Sequence, residues 1–533
     1  MNNVELFTEI GIALSTEKDH RLLLEKILLN AIILTRADGG TIYSVTEEHT
    51  LKFETIINKS LKLHLGGTTE HKITFADIPI YINDKINTKA MVAVAAATGD
   101  IINIKDAYHD KHYDTSAARQ MDSQTGYRTQ SVLTLPMKDH LGELNGVLQL
   151  LNATDESGEV VPFNQENQLQ VRALASLAAV VLTNKQLIDD METLFTTFSK
   201  LIAEAIDKKS PYTGGHCRRV PEITLLLARA CHETDSGPLK DFTLTLEDFH
   251  EISVAAWLHD CGKVATPAHI MDKATKLEGI FDRIALVDAR FEIARRDLEH
   301  HPELSPISRQ QKLTQLESDR EFIRQANIGS EFFNQEKIDR VRQISQHYQV
   351  IIASEKQTIL SDNEVHHLIT QRGTLTAQER QIINEHMDIT VEMLESTKFP
   401  KHLQNVPEYA CGHHEKMDGS GYPKGLTRDQ MSVPARMMAI ADIFEALTAA
   451  DRPYKVAKTL SESLTILGRM KLDHHIDPDI FDVFIDKQVY LDFARSALKP
   501  EQIDDFDINT IPGYLPPKQR KGLAAAIKTR QKG

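Results

Sequence analysis

The chain opens on helical spacing of apolar residues, Leu22, Leu23, Ile27, Leu28 and Ile32, which predicts a helix over residues 4–36 that Ala37-Asp38-Gly39-Gly40 should break. Strand-like runs follow at 41–45, 51–57, 131–136 and 146–151, with a hairpin turn expected at Asp139-His140-Leu141-Gly142-Glu143. These predict an α/β sensor-like domain. From Leu174 the pattern changes. Leu174, Leu177, Val181, Asn184, Ile188, Met191, Phe195, Phe198, Ile202 and Ala205 follow steps of three and four, as in a coiled-coil seam, with the polar Asn184 favouring a parallel dimer in register. The alternative is one long amphipathic helix packed on its own domain.

Beyond residue 207 the pattern is helical almost throughout. An apolar run, Ile252 to Leu258, ends in His259-Asp260-Cys261-Gly262-Lys263, with Gly262 as a helix stop. Residues 272–365 are strongly charged and read as an inserted helical subdomain, with helices at 282–301 and 335–348. Its histidines, His300, His301, His347, and His366 and His367 just past it, lie in polar surroundings and read as solvated. Gly373-Thr374-Leu375-Thr376 then caps a helix over 377–394 that carries His386, and an apolar helix over 435–447 carries Asp442. The tail beyond Pro500 is acidic, then basic, and reads as peripheral.

The 533 residues exceed one core, so two or three domains are expected; 41% hydrophobic and 26% charged residues are ordinary for a globular protein. A net charge of −15 gives no overall basic field for DNA, though a local cation cluster could hold a small anion. No apolar run approaches the roughly 20 residues that span a bilayer, and no signal pattern opens the chain, so a cytoplasmic protein without membrane contact is expected. Cys217, Cys231, Cys261 and Cys411 lack metal or disulfide spacing and read as reduced bystanders.

The chemistry centres on His413-His414-Glu415-Lys416-Met417-Asp418-Gly419-Ser420-Gly421-Tyr422-Pro423. Adjacent imidazoles on a glycine-punctuated turn offer nitrogens on a rigid support. His259 and Asp260 follow so apolar a run, and Asp442 sits within one, that ligation is the economical way to place them there. His216, His259, Asp260, His386, His413, His414 and Asp442 are imidazoles and carboxylates only, on or beside predicted helices. That set suits iron, manganese, nickel or zinc better than calcium or magnesium, and it exceeds one tetrahedral site. An Asp can bridge two cations about 3.5–4 Å apart.

His259-Asp260-Cys261-Gly262-Lys263 and the stretch from His413 to Pro423 resemble the two signatures of the HD-GYP family, a branch of the HD superfamily of metal-dependent phosphohydrolases. The resemblance covers about residues 200–500 and implies an all-helical catalytic domain, placed at 208–500. It also implies hydrolysis of a cyclic dinucleotide: cyclic di-GMP to linear pGpG or on to GMP, or alternatively cyclic GMP-AMP. It puts metal ligands at His216, His259, Asp260, His386, His413, His414 and Asp442, with Asp260 and Lys263 catalytic and Lys263, Arg452 and Lys455 on substrate phosphates. Two divalent transition metals are expected, iron first, with manganese, nickel or zinc as alternatives. Gly421, Tyr422 and Pro423 form a loop that shapes the site and offers a surface to a signalling-protein partner.

Three departures bear on this assignment. Tyr212 stands where some members carry a Glu that supports a third metal, so two are expected; Glu445 stands where Asp is usual. The insertion separates His269 from His386, which leaves His300 and His301 as rivals to His386. A di-iron oxidoreductase of HD type and a non-catalytic signalling scaffold are the readings from other classes. The cations Lys263, Arg452 and Lys455 weigh against the first, and the complete ligand set against the second.

The run Thr125-Gly126-Tyr127-Arg128-Thr129-Gln130-Ser131-Val132-Leu133-Thr134-Leu135-Pro136-Met137-Lys138, with Gly146 to Asn152, resembles the GAF family over residues 1–183. The resemblance implies an antiparallel sheet with helices that regulates the output through a connecting helix at 170–207. Where cyclic-nucleotide-binding members have an Asn-Lys pair, a Phe and an Asp-Glu pair, this chain has Asn152-Ala153, Phe163 and Asn167-Gln168. A domain serving dimerisation, or binding another small ligand, therefore stands beside cyclic-nucleotide sensing. A parallel homodimer is expected, and residues 501–533 are assigned to a C-terminal tail.

Overall fold

The computed structural model describes residues 19–139, 141–210, 215–329, 332–450, 457–517 and 519–520. Two compact units divide between Leu194 and Phe195.

In the first unit the helix His20–Thr35 ends at Arg36, whose left-handed conformation lets its N–H reach back to the Ile32 and Ile33 carbonyls. The chain then enters strand Ala37–Val45 directly, so Gly39 and Gly40 begin a strand and do not break the pattern. A Cβ on Gly39 would lie 2.8 Å from the Ile57 carbonyl oxygen on the neighbouring strand, so close pairing selects the glycine. The sheet runs Leu63–Gly66, Thr50–Asn58, Ala37–Val45, Leu144–Thr154, Val132–Lys138, Ile102–Ile104, every neighbouring pair antiparallel. The last long pair joins across the expected turn, where Asp139 N–H donates to the Glu143 carbonyl.

One face buries Leu24, Ile27, Leu28, Leu148 and Leu150 against Val171, Leu174, Ala178 and Val181; helix Met91–Thr98 covers part of the other. This is the expected antiparallel sheet with helices. The three GAF-motif positions serve the fold. Asn152 accepts from Gln130 N–H and donates to the Arg128 carbonyl, Phe163 is buried in the core, and Asn167 exchanges side-chain and backbone hydrogen bonds with Asn164.

The helix Gln165–Lys209 is continuous over 45 residues. Leu174 and Val181 are buried in the sheet's core, which corrects the expected seam at those positions: they pack within their own domain. Asn184, Ile188, Met191, Phe198 and Ile202 are exposed. By length and composition this helix is also apolar enough to cross a membrane, contrary to the expectation above. The stretch from Val171 to Leu182 is nevertheless spent on the domain core.

The second unit is helical. His216–His232, Leu246–Leu258, Val433–Thr448, Leu460–Leu472, Pro478–Asp486 and Val489–Ala497 share one core built on Val220, Ile223, Ile252, Ile440, Phe444, Phe481 and Phe484. A second core, with Val254, Met387, Leu394, Val406 and Met438, joins the helices nearest the site. All four cysteines are free and buried.

The insertion has its own core, from Leu277 to Leu368, so it ends slightly beyond residue 365. It is not wholly helical: strands Gln349–Ile352 and Glu355–Thr358 form a hairpin with left-handed Ala353 and Ser354 at its turn. Its helices run Ile284–Glu299, Pro306–Asn327, Gln335–His347 and Asp362–Leu368, and His300, His301, His347 and His366 are exposed. The helix expected over 377–394 is two, Ala377–Asn384 and His386–Ser396, meeting at Glu385.

The reading of residues beyond Pro500 as a peripheral tail is corrected. Ile511 and Tyr514 are buried in the helical core, and Gln502 Nε2 donates to the Thr448 carbonyl at 2.8 Å.

Candidate metal centre

Five local structures deliver the candidate ligands. His216 opens helix His216–His232 behind Gly215, whose N–H donates to Asp207. Helix Leu246–Leu258 begins with a Thr245–Asp248 capping box and ends at His259, after which Asp260 leads into the tight turn Cys261–Val264. Gly262 does not act as a left-handed stop. A Cβ there would lie 2.0 Å from the His386 carbonyl oxygen and 2.7 Å from Thr390 N, so the glycine lets this turn press against helix His386–Ser396. Gly262 N–H donates to Thr390 Oγ1 at 3.0 Å, holding that contact. His413 and His414 follow helix Val406–Cys411, and Asp442 and Glu445 lie on Val433–Thr448.

Two groups of donor atoms result: His216, His259 and Asp260 in one, His386, His413 and His414 in the other, the atoms of each group lying within 4.8 Å of one another. Asp260 stands between them. Its Oδ2 lies 3.1 Å from Nε2 of both His216 and His259, and its Oδ1 lies 3.2 Å from His386 Nε2. Asp442 Oδ1 is 3.3 Å from His216 Nε2 and 3.9 Å from His259 Nε2. All seven predicted ligands thus come together. His300 and His301, the rivals to His386, are exposed on the insertion.

The orientation of the rings fits a metal. His259, His386 and His413 each place Nδ1 against the carbonyl three residues back, Ala256 at 2.7 Å, Ile383 at 2.5 Å and Ala410 at 2.7 Å. A carbonyl can only accept, so Nδ1 carries the hydrogen and Nε2 is left as a lone-pair donor. Those three Nε2 atoms, with Asp260 Oδ1, are buried without a hydrogen-bond partner among the described residues. Leaving each unsatisfied costs about 1–3 kcal/mol, a penalty that ligation of a cation removes.

Charge follows the same arrangement. Burial would push the Asp260 carboxyl up, but Lys263 and the neighbouring imidazoles His259 and His216 hold it well below the usual range. Burial likewise opposes ionisation of Asp442, and His216, His413 and His414 outweigh it. Burial, with the charge of His386, holds His414 at about 4 against the opposing pull of Asp442, and burial with His414 and His259 puts His413 well below its ordinary value. Both rings are therefore neutral near pH 7, the form that binds a metal. For His216 burial works downward, yet Glu445, Asp260 and Asp442 raise it well above the ordinary value.

Lys263 Nζ donates to Asp260 Oδ2 at 2.5 Å, which sets this cation at the rim of the cluster. Arg452, Lys455 and Tyr212 lie outside the described residues. Sequence reasoning noted Glu445 only as a departure, whereas in the structure it supports the candidate ligand His216. Its Oε2 accepts from His216 Nδ1 at 2.5 Å and its Oε1 from Arg219 Nε at 2.7 Å. Arg219 was missed altogether. Its only signal was its place one turn after His216 on the same helix. Gly421, Tyr422 and Pro423 lie in a loop pinned by buried Glu415, which accepts from Lys424 and Leu426 N–H at 2.7 and 2.9 Å.

Residues 361–480, which include His386, His413, His414 and Asp442, match the family model described as HD domain. The second unit contains an HD domain. The chain is 44% identical over 80 residues to the 3'3'-cGAMP-specific phosphodiesterase 1 of Vibrio cholerae, covering 15% of this chain and 18% of that one. It is 33% identical over 118 residues to the cyclic di-GMP phosphodiesterase PA4108 of Pseudomonas aeruginosa, 22% of this chain and 27% of that one. The match thus spans less than a third of either relative's length. The GAF domain of an Acinetobacter phosphoenolpyruvate-protein phosphotransferase overlays with a TM-score of 0.26 at 12% identity, covering 36% of this chain and 99% of that one. His216, His259 and Asp260 precede the matched segment in the chain.

Proposed function

We propose that this chain is a metal-dependent phosphodiesterase that opens a cyclic dinucleotide, with cyclic di-GMP as substrate and linear pGpG as first product. The observation that carries the reading is the position of Asp260, with one oxygen turned to His216 and His259 and the other to His386. Two divalent transition ions, iron first among them, would be held by His216, His259, Asp260 and Asp442 on one side and by His386, His413 and His414 on the other, with Asp260 shared. When bound, such a pair supplies Lewis-acid activation of water and of the phosphate.

The chain's own residues do the rest. The Nδ1 contacts of His259, His386 and His413 keep their Nε2 atoms unprotonated and aimed inward. Lys263 neutralises Asp260 and stands where it can bind a phosphate oxygen. Arg452 and Lys455 complete the phosphate-binding set. Water oxygen adds to phosphorus, the bond from phosphorus to the ribose 3′ oxygen breaks, and that oxygen leaves as a hydroxyl. Cyclic GMP-AMP is the second substrate reading, favoured by the 44% identity to the Vibrio cholerae enzyme.

In the same reading the first unit regulates the second through the helix Gln165–Lys209, in a cytoplasmic parallel homodimer. Exposure of Asn184, Ile188, Met191, Phe198 and Ile202 along that helix supports a partner there. A monomer by light scattering at micromolar concentration would refute the dimer.

For the activity, purified protein of measured metal content is incubated with cyclic di-GMP and with cyclic GMP-AMP, beside Asp260→Ala. Turnover of one of the two by the wild type and its loss in the variant are expected. No turnover with two metals bound would overturn the activity, and unchanged turnover in Asp260→Ala would overturn the site.

A further inference from the structure

Five imidazoles converge on the centre, and four of them have their Nδ1 held by a hydrogen bond: His259, His386 and His413 by backbone carbonyls, His216 by Glu445. His414 differs. Among the described residues no carbonyl or carboxylate accepts from its ring, so nothing polar fixes its rotation or tautomer. Its ring is held by other rings instead. Tyr422 stacks on it with centroids 4.8 Å apart and planes 16° from parallel, and His386 meets it edge-on at 5.4 Å.

The loop is shaped to bring Tyr422 there. A Cβ on Gly421 would lie 2.4 Å from Lys416 N and 2.5 Å from Glu415 Cα, so only glycine lets the chain fold back onto the segment that carries His414. Tyr422 N–H then donates to the His414 carbonyl at 3.3 Å, which joins the two residues through the backbone as well as through the rings. Lys424 and Leu426 N–H groups, bound to buried Glu415, fix the far side of the turn.

We infer that Tyr422 is a positioning residue for His414: its ring face takes the place of the missing ring hydrogen bond and holds His414 beside His386 and His413, where the three would ligate one metal. Its hydroxyl has no part in this. The inference rests on the two-metal reading above and deepens it, since it separates the ring of Tyr422 from its phenol and makes the turn a part of one half of the centre. A stacked ring restricts rotation of its neighbour and excludes water from that face.

The test compares Tyr422→Phe, which keeps the ring, with Tyr422→Leu, which keeps an apolar side chain without it. Iron and manganese are titrated into metal-free protein and bound equivalents are counted by plasma mass spectrometry, with the melting temperature recorded for each variant. Tyr422→Phe should bind two equivalents as the wild type does. Tyr422→Leu should bind one equivalent normally and the second about 10- to 100-fold more weakly.

Unchanged binding of both equivalents by Tyr422→Leu would overturn the inference, as would loss of the second equivalent in Tyr422→Phe. The Phe variant keeps the test decisive even where the Leu variant does not fold. A wild type that binds no metal overturns the two-metal reading itself, a result distinct from either variant outcome.

Discussion

Glu445 Oε2 lies 2.5 Å from His216 Nδ1, a contact between residues 229 positions apart. The carboxylate also takes the Arg219 guanidinium at 2.7 Å, so one buried acid orients a candidate ligand and satisfies a cation on the same helix. Glu445→Ala should cost about 2 kcal/mol of stability through the lost hydrogen bonds to His216 and Arg219. It should also weaken metal at the His216 side about 10- to 100-fold. Glu445→Asp, one methylene shorter, should keep one partner and lose the other. Calorimetric melting and metal titration of the two variants check both statements.

Gly262→Ala should be costly despite adding a single methyl. The new carbon would meet the His386 carbonyl oxygen at 2.0 Å and the Thr390 backbone and hydroxyl at 2.7 Å, and neither backbone group can swing aside. A loss of about 3 kcal/mol is expected, with helix His386–Ser396 displaced from Asp260. Urea denaturation gives the stability and metal content gives the displacement.

His367 sets an acid limit on the insertion. Its Nδ1 accepts from Lys273 Nζ at 3.1 Å, and burial together with Lys273 and Arg283 holds it at about 4, against the opposing pull of Glu379. The unfolded chain takes up this proton at its ordinary value, so stability is full above about 6.5 and is lost as pH falls toward 4. The contribution is at most about 3 kcal/mol. Denaturation curves at pH 4.5 and 7 should differ less for His367→Gln, whose amide oxygen can still accept from Lys273, than for the wild type.

Metal loading should release protons and raise the melting temperature. Glu445, Asp260 and Asp442 keep His216 protonated near neutrality against the opposing effect of burial, and ligation requires its neutral form. About one proton per site filled on that side should appear in a weakly buffered solution at pH 7. Cation at 100 times its dissociation constant should add about 2.7 kcal/mol, and a chelator should reverse both effects.

Much of the centre was legible in the chain because its groups are costly where the pattern puts them. His259 and Asp260 end an apolar helix, Asp442 lies within one, and His413-His414 precede a glycine-rich turn, so each demanded a partner. What stayed hidden depends on distant chain. Gly262 looks like a helix stop until Thr390 is seen against it, and Gly39-Gly40 look like a break until strand Thr50–Asn58 lies alongside. The hairpin Gln349–Ile352 and Glu355–Thr358 lies within a charged, helix-rich segment where local preference points elsewhere. Tyr514 joins a core whose other members precede it, which the acidic stretch before it concealed.

The insertion also bears on how the centre assembles. The contact between Gly262 and Thr390 joins residues 128 apart, a long loop to close by diffusion. The inserted segment has a core of its own, and its ends are tied by Lys273 to Glu379 at 2.7 Å and by Thr374 Oγ1 to the Lys273 carbonyl at 2.9 Å. Once that core has formed, the two flanks already stand side by side, and the remaining search is that of a short loop; each halving of loop length lowers the closure cost by about 0.6 kcal/mol. The segment that parts the candidate ligands in sequence would thus act, during folding, as the splint that brings them together.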